Sequence, residues 1–337
     1  MRKTPYHILL VVIGLLFSSC FGTYEDRIRI DGSSSLFPLT EAVSEDFRSV
    51  YPEIKITVGV SGTGGGIMKF GRGEIDIVNA SRPLTEKEIN FCSANNVSFI
   101  EVPVTNDGLV IAVNKSNSFI DYLTVNELKK LWEPSASGKI LYWDQIRSEW
   151  PHLRIQLFGA GTSSGSFDFF TKNIVGTAKA SRGDYTASED DNFLVQGLSG
   201  AKGGLGFFGR SYFIENEDKL KAIPIDDENN TNGDGAYFAT EESINNGHYQ
   251  PLSRIEFLYI NTNAATKNTV KTFVDYYLSS ANKLAKEIGG IPLRKEIYVE
   301  GMKRFDDGIA GSIIQDGENI NSTEILNRLK KGNEKSL

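Results

Sequence analysis

The sequence predicts an α/β protein of two lobes, and three observations carry that reading. A unit of β-branched strand, glycine- and hydroxyl-rich turn and helix start occurs three times, entering Ser33-Ser34-Ser35, Ser61-Gly62-Thr63-Gly64-Gly65-Gly66 and Gly161-Thr162-Ser163-Ser164-Gly165-Ser166. At 337 residues the chain is long enough for two cores, each built from roughly 100–200 residues. An apolar run, 97–104 continuing at 109–113, is interrupted by Asn106-Asp107-Gly108. A polar break in an otherwise continuous strand is what a crossing between lobes would look like.

The chain opens with Met1-Arg2-Lys3, an apolar run over 8–17, and Ser18-Ser19-Cys20. A basic end, a run too short for an ordinary membrane span and small residues before a cysteine describe a secretory leader over 1–20. The arrangement resembles the lipobox of bacterial lipoproteins, with Cys20 as the lipidated first mature residue; Phe17, where a small or aliphatic residue is usual, departs from it. The mature chain is expected to be exported, tethered to a membrane only by its N-terminal lipid. Lipidation of Cys20 leaves Cys92 alone, so no intrachain disulfide is expected, and Cys92 reads as a buried inert thiol. The 36 basic and 43 acidic residues give a net charge of −7, which supplies no long-range attraction for nucleic acid. Any anion must be held by local donors.

From 27–30, a strand leads into the serine turn, and Leu39, Val43, Phe47 and Val50 follow at helical spacing with Pro38 in the first turn. The stretch 56–84, ITVGVSGTGGGIMKFGRGEIDIVNASRPL, reads as strand 56–60, glycine turn, helix start at 67–70 and strand 75–79, with Arg82 just beyond. Glycines there leave backbone N–H groups unscreened at a helix N-terminus, where negative charge is favoured. The stretch lacks the Lys-Ser/Thr and the spacing of nucleotide fingerprints. Thr85 and Glu88 form a capping box for a helix to about residue 95.

The second lobe begins with helical connections over 116–150, in which Trp132, Trp143 and Trp150 read as packing residues. A strand at 154–158 enters the third turn, and Ser188-Glu189-Asp190-Asp191 start another helix. Strands are expected at 205–208, 221–225 and 253–260, an amphipathic helix from Val270 to Ile288 closed by Gly289-Gly290, and a charged helix or frayed tail from about 319. Three such turns converging through helix N-termini and hydroxyls point to one bound anion.

The segments DGSSSLFPLTEAVSEDF, VGVSGTGGGIMKFGRGEIDIVNASRPL, SSGSFDFFTKNIV, SEDDNFLVQGLSGAKGGLGFFG and PLSRIEFLYIN occur in family order and resemble the phosphate-binding, PstS-like proteins of bacterial ABC phosphate importers. The resemblance implies a two-lobed type II periplasmic-binding-protein fold with hinge crossovers, a first lobe of 27–104 plus 257–325 and a second of 105–256. It implies a monomer that closes on one inorganic phosphate and delivers it to permease subunits, without cofactor or metal. Carried over by position, the ligands are Ser34, Ser35 and Leu36, then Thr63 with Ser61 in a lesser part, then Ser164, Gly165 and Ser166. Two departures matter: Arg82 stands where some members have an aspartate, and Ala160 where those members have an arginine. Together they suggest that the guanidinium facing the anion has moved to the other lobe, as Arg82. An acceptor carboxylate would separate monohydrogen phosphate, which has a proton to share, from sulfate; Asp107 is the candidate, ahead of Asp31, Asp168 and Asp191.

Two alternatives stay open. One is a binding protein for another tetrahedral oxyanion such as sulfate. The other is a serine hydrolase, because Gly161-Thr162-Ser163-Ser164-Gly165 fits the nucleophile-elbow pattern with His248 as the one downstream histidine. That motif leaves the other two turns unexplained. Three histidines in the whole chain, without ligand spacing, argue against a metal enzyme.

Overall fold

The computed structural model describes residues 27–231, 233–314, 318 and 322–334; the leader, Cys20 and the spacer at 24–26 lie outside them. The first lobe opens with strand β1 (Arg27–Gly32), helix α1 (Phe37–Val50), β2 (Lys55–Val58), α2 (Gly62–Gly71), β3 (Ile77–Ala80) and α3 (Glu86–Ala94). The expected strand at 56–60 is thus shorter and the one at 75–79 shifted, while α2 starts inside the glycines, five residues earlier than the apolar pattern suggests. The reason is packing. A Cβ at Gly66 would lie 2.6 Å from Gly32 Cα and 2.9 Å from Val78 Cγ2, so the glycines let α2 lie directly on the sheet. Thr85 and Glu88 form the expected capping box, whereas Val50, at the end of its helical pattern, is exposed.

Strand β4 (Phe99–Asn114) is continuous through Asn106-Asp107-Gly108, and all sixteen of its residues are buried. The expected interruption is absent because the polar triplet is paired: Asp107 faces Arg254 and Gly108 faces Ser253 on β9 (Ser253–Asn261). The irregularity falls on the partner strand instead, as a register shift between Glu256 and Phe257. The first part of β4 pairs with β9, and its end, from Leu109, pairs with β7 (Gly204–Gly209) and β8 (Leu220–Ile223).

Between these come α4 (Val125–Trp132), β5 (Gln156–Ala160), α5 (Gly165–Phe170), β6 (Thr186–Ser188) and α6 (Asp191–Gly200). The region 116–150 holds α4 and two short 3-10 turns rather than several helices. Trp132, Trp143 and Trp150 are core residues there. After β9 the chain returns through α7 (Asn268–Glu287), β10 (Ile291–Pro292), α8 (Lys295–Asp306) and α9 (Ser322–Glu334).

The curled sheet runs β2-β1-β3-β9-β4-β7-β5-β6, with β8 and β10 also on β4. On one side of the crossing, Ile28, Phe47, Ile77, Val102, Phe257 and Tyr277 belong to one core. On the other, Leu109, Ile111 and Val113 enter a second core with Trp132 and Phe207. Val110 and Ala112 point the opposite way, into a smaller cluster with Leu194 and Phe208. That alternation is the two-residue period of a strand buried on both faces.

Candidate functional site

The three turns meet at the crossing. After β1, Ser33 N–H donates to Asn79 O at 3.0 Å, pinning the serine turn to the end of β3. Ser33 and Ser35 hydroxyls are 2.9 Å apart, and Ser35 Oγ donates a short hydrogen bond to Glu256. Ser34 contributes its carbonyl, which accepts from Tyr212 Oη at 2.9 Å across the cleft, and Leu36 is buried at the N-cap of α1. At the start of α2, Thr63 Oγ1 lies 3.1 Å from Ser81 Oγ and accepts from Ser81 N–H at 3.2 Å. Ser61 is spent on Asp31, whose Oδ1 it meets at 2.7 Å, and Lys69 Nζ holds the other oxygen of Asp31 at 2.5 Å.

From the other lobe, Ser164 caps α5 by accepting from Ser166 N–H at 3.1 Å. Gly165 lies against the first lobe, where a Cβ would come within 2.3 Å of Ser81 Oγ and 2.5 Å of Thr63 Oγ1. Gly64 N–H donates to Ser163 O at 2.9 Å, so the two glycine turns are joined directly.

The guanidinium at the centre is Arg254, on β9. Its Nη2 donates to Ser35 Oγ at 3.0 Å, Ser166 Oγ at 2.9 Å and Asp107 Oδ2 at 2.8 Å, and its Nε meets the same Asp107 oxygen at 3.1 Å. Phe169 lies under it, 5.4 Å from the guanidinium carbon to the ring centre. Arg254 is buried, and its Nη1 has no hydrogen-bond partner. A cavity of about 30 Å³ bordered by Ser81, Arg82, Phe169 and Arg254 remains beside it.

Sequence reasoning missed Arg254 and Glu256. The available signal was two opposite charges two residues apart, on one face of a strand otherwise apolar.

Arg82, expected to face the anion, is placed otherwise. Its Nη1 and Nη2 grip Glu88 at 2.8 Å each, its Nε donates to Asp168 Oδ2 at 3.0 Å, and Nη1 also reaches Pro83 O. Those carboxylates raise its pKa against the opposing effect of burial. Asp107, expected as the acceptor toward the ligand, is the counter-ion of Arg254, with its second oxygen 3.3 Å from Arg210 N. Two other carboxyls occupy the cleft. Burial, with the charge of Asp107 beside it, pushes the Glu256 carboxyl up to about 8 against the pull of Arg254 and Ser35. Asp191, fully buried at the start of α6, is pushed up to about 7 by burial; Gly209 N–H and Arg254 oppose the shift. Its Oδ1 has no partner.

The nucleophile-elbow residues are also placed. Ser163 is exposed, with its backbone N–H on Glu189 at 3.0 Å, while His248 packs on the ring of Tyr237, and no hydrogen bond joins them. Among the described residues no group of three or more His, Cys, Asp or Glu could hold a metal, and no helix is long and apolar enough to cross a membrane. A surface cleft of about 960 Å³ is lined by Asn106, Ser253, Arg254 and Ile255 together with residues of 241–250, 282–296 and 322–323.

Two lobes joined by β4 and β9, with turns from both converging at the crossing, define a binding protein of the type II periplasmic class. The comparisons agree. The PBP superfamily domain matches residues 22–281. Protein SphX of Synechococcus elongatus is 42% identical over 310 residues, 90% of either chain. The phosphate-binding protein PstS of Staphylococcus aureus is 33% identical over 283 residues, 82% of either chain. The crystal structure of a possible phosphate binding protein from Planctomyces limnophilus is 41% identical, with a TM-score of 0.62, covering 85% of this chain and 100% of that one. The chain belongs to the PstS-like family of the PBP superfamily.

Proposed function

We propose that this protein is an extracytoplasmic receptor that captures inorganic phosphate between its lobes and delivers it to an ABC transporter permease. The observation that carries the reading is Arg254, a buried guanidinium bonded to serines of both lobes yet keeping one terminal nitrogen unpartnered. A desolvated donor of this kind costs stability unless an acceptor arrives, and a tetrahedral oxyanion is the acceptor that a guanidinium ringed by hydroxyls and helix N-termini suits. The names of the relatives, a phosphate-binding protein and a possible phosphate binding protein, support phosphate as that anion.

The proposed ligand groups are Ser35, Leu36, Thr63, Ser164, Gly165 and Ser166, with Ser34 shaping the turn, Ser81 beside Thr63, and Arg254 in the role that sequence assigned to Arg82. Asp191 and Glu256 replace Asp107 as the carboxyls facing the anion. The lobes divide at 27–104 with 257–325 against 105–256, a boundary supported by the separate cores on either side of the crossing. The protein acts as a monomer, anchored through a lipid on Cys20, and as a receptor rather than an enzyme.

Calorimetric titration of the anion-stripped full chain with phosphate and then sulfate tests this. Tight phosphate binding with sulfate at least ~100-fold weaker is expected. Comparable affinities would make the site a general oxyanion pocket, and no binding of either anion would overturn the reading.

A further inference from the structure

We propose that Arg82 is the clasp of the cleft: an ion pair with Asp168 across the lobes that holds the closed form and sets how long a captured anion stays. The retention part rests on the phosphate reading above; the clasp itself does not.

Arg82 follows β3 in the first lobe, and Asp168 sits on α5 of the second, two residues beyond Ser166. Both side chains are about nine-tenths buried, and Asp168 Oδ2 lies 3.0 Å from both Nε and Nη2 of Arg82. The guanidinium is aimed from its own lobe. Glu88 takes Nη1 and Nη2 in a two-point grip at 2.8 Å, and Glu88 is itself fixed because its Oε2 accepts Thr85 N–H at 2.8 Å in the capping box of α3. With Nε, Nη1 and Nη2 all engaged, Arg82 is committed to carboxylates on both sides.

Its cross-cleft partner lies on the helix that presents Ser164, Gly165 and Ser166. Opening the lobes pulls α5 away and separates the pair into water, so the pair exists only in the closed form. Of the other hydrogen bonds described across the cleft at these turns, Gly64 to Ser163 and Tyr212 to Ser34 join neutral groups, and Arg254 to Ser35 and Ser35 to Glu256 each set an ionisable group against a hydroxyl. The Arg82–Asp168 pair adds an ionic tie, stronger than those when water is excluded.

The sign of one substitution separates a clasp from a ligand. If Arg82 bound the anion in competition with Asp168, Asp168→Asn would free the guanidinium, remove a negative charge from the cleft and slow anion release. A clasp gives the opposite. The full chain is loaded with radiolabelled phosphate and chased with unlabelled phosphate. Asp168→Asn is expected to release phosphate roughly tenfold faster, a loss of about 1.4 kcal/mol from the closed form. The phosphate-free thermal midpoint should fall by no more than about 4 °C, since only the closed form loses the pair. Asp168→Glu, which keeps the charge, should restore slow release. Arg82→Lys, which can reach only one of the two carboxylates, should release faster too, and it serves where the Asp168 variants fail to fold.

Scattering from the phosphate-free protein gives a readout independent of the ligand: Asp168→Asn should raise the radius of gyration as the population shifts to the open form. If wild type retains no phosphate, the phosphate reading fails while this measurement still decides the clasp. Release that is unchanged or slower, or an unchanged radius in both proteins, overturns the clasp.

Discussion

Gly165 and Ser81 approach each other across the cleft so closely that a Cβ on Gly165 would lie 2.3 Å from the serine oxygen. Thr63 Oγ1 would be 2.5 Å from the same atom, so neither hydroxyl can move aside without displacing the other. Gly165→Ala should therefore block closure while leaving each lobe intact, since alanine at the first turn of α5 is favoured over glycine once the lobes part. Phosphate affinity should fall by ~100-fold or more, with the phosphate-free thermal midpoint within about 2 °C of wild type. Calorimetric titration and scanning calorimetry check the two halves; a large drop in midpoint would mean that the glycine serves folding rather than closure.

Arg254 and Asp107 are a buried pair whose partners lie on adjacent strands. Removing one member leaves the other charge stranded in a dry site. Arg254→Gln should destabilise the protein by about 3 kcal/mol, and adding Asp107→Asn should recover much of that. Phosphate binding should stay lost in both, because the donor is gone. Denaturant titration of the two variants, with phosphate titration alongside, separates the structural role of the pair from the ligand role of its arginine.

How much of this was legible in the sequence depends on the range of the interaction. The serine and glycine turns and the Thr85–Glu88 capping box are local, and they read directly from spacing. The ion pairs are not local: Arg254 meets Asp107 across 147 positions within the second lobe, and Arg82 meets Asp168 across 86 between the lobes. A guanidinium after Ser81 suggested an anion, but nothing nearby in sequence showed that Glu88 and Asp168 would take it. The Asn106-Asp107-Gly108 triplet resembled a break because a polar run does not reveal that all three of its residues are paired with β9. Helix α8 escaped notice because Gly301 interrupts its pattern; that glycine lets the helix approach β4, where a Cβ would sit 3.0 Å from Val102.

Cys92 is fully buried on α3, and burial with the nearby charge of Glu88 pushes its thiol up to about 11. The thiolate is the reactive form, so in the native protein the thiol should resist alkylation at pH 8, labelling at least ~100-fold more slowly than after unfolding in denaturant. Labelling at the rate of a free peptide would contradict its place in the core.

The raised carboxyls fix the sign of the pH dependence. Asp191 and Glu256 titrate in the folded protein at about 7 and about 8, against ~4 in an unfolded chain. Between those values the folded form holds protons that the unfolded form has released, so their contribution is fully present below ~4 and is lost as pH rises through 7 to 8. Asp76, Glu88 and Asp184 are shifted the other way by their basic partners, and their stabilisation is lost in acid. The groups facing the raised pair include Asp107, Asp190, Arg254, Tyr212 and Tyr277. The phosphate-free thermal midpoint should thus be highest near pH ~5 and fall by about 3 °C or more by pH 8. The double variant Asp191→Asn with Glu256→Gln should shrink that decline to the share of Glu101, Asp168, Glu189 and Asp275, which burial raises too, and leave the acid limb in place. Above pH ~8, where both carboxyls are ionised, the same variant should lose most of its preference for phosphate over sulfate, since an amide carries no charge to repel an anion that brings no proton to share. A decline that persists unchanged in the double variant would place the titrating groups elsewhere.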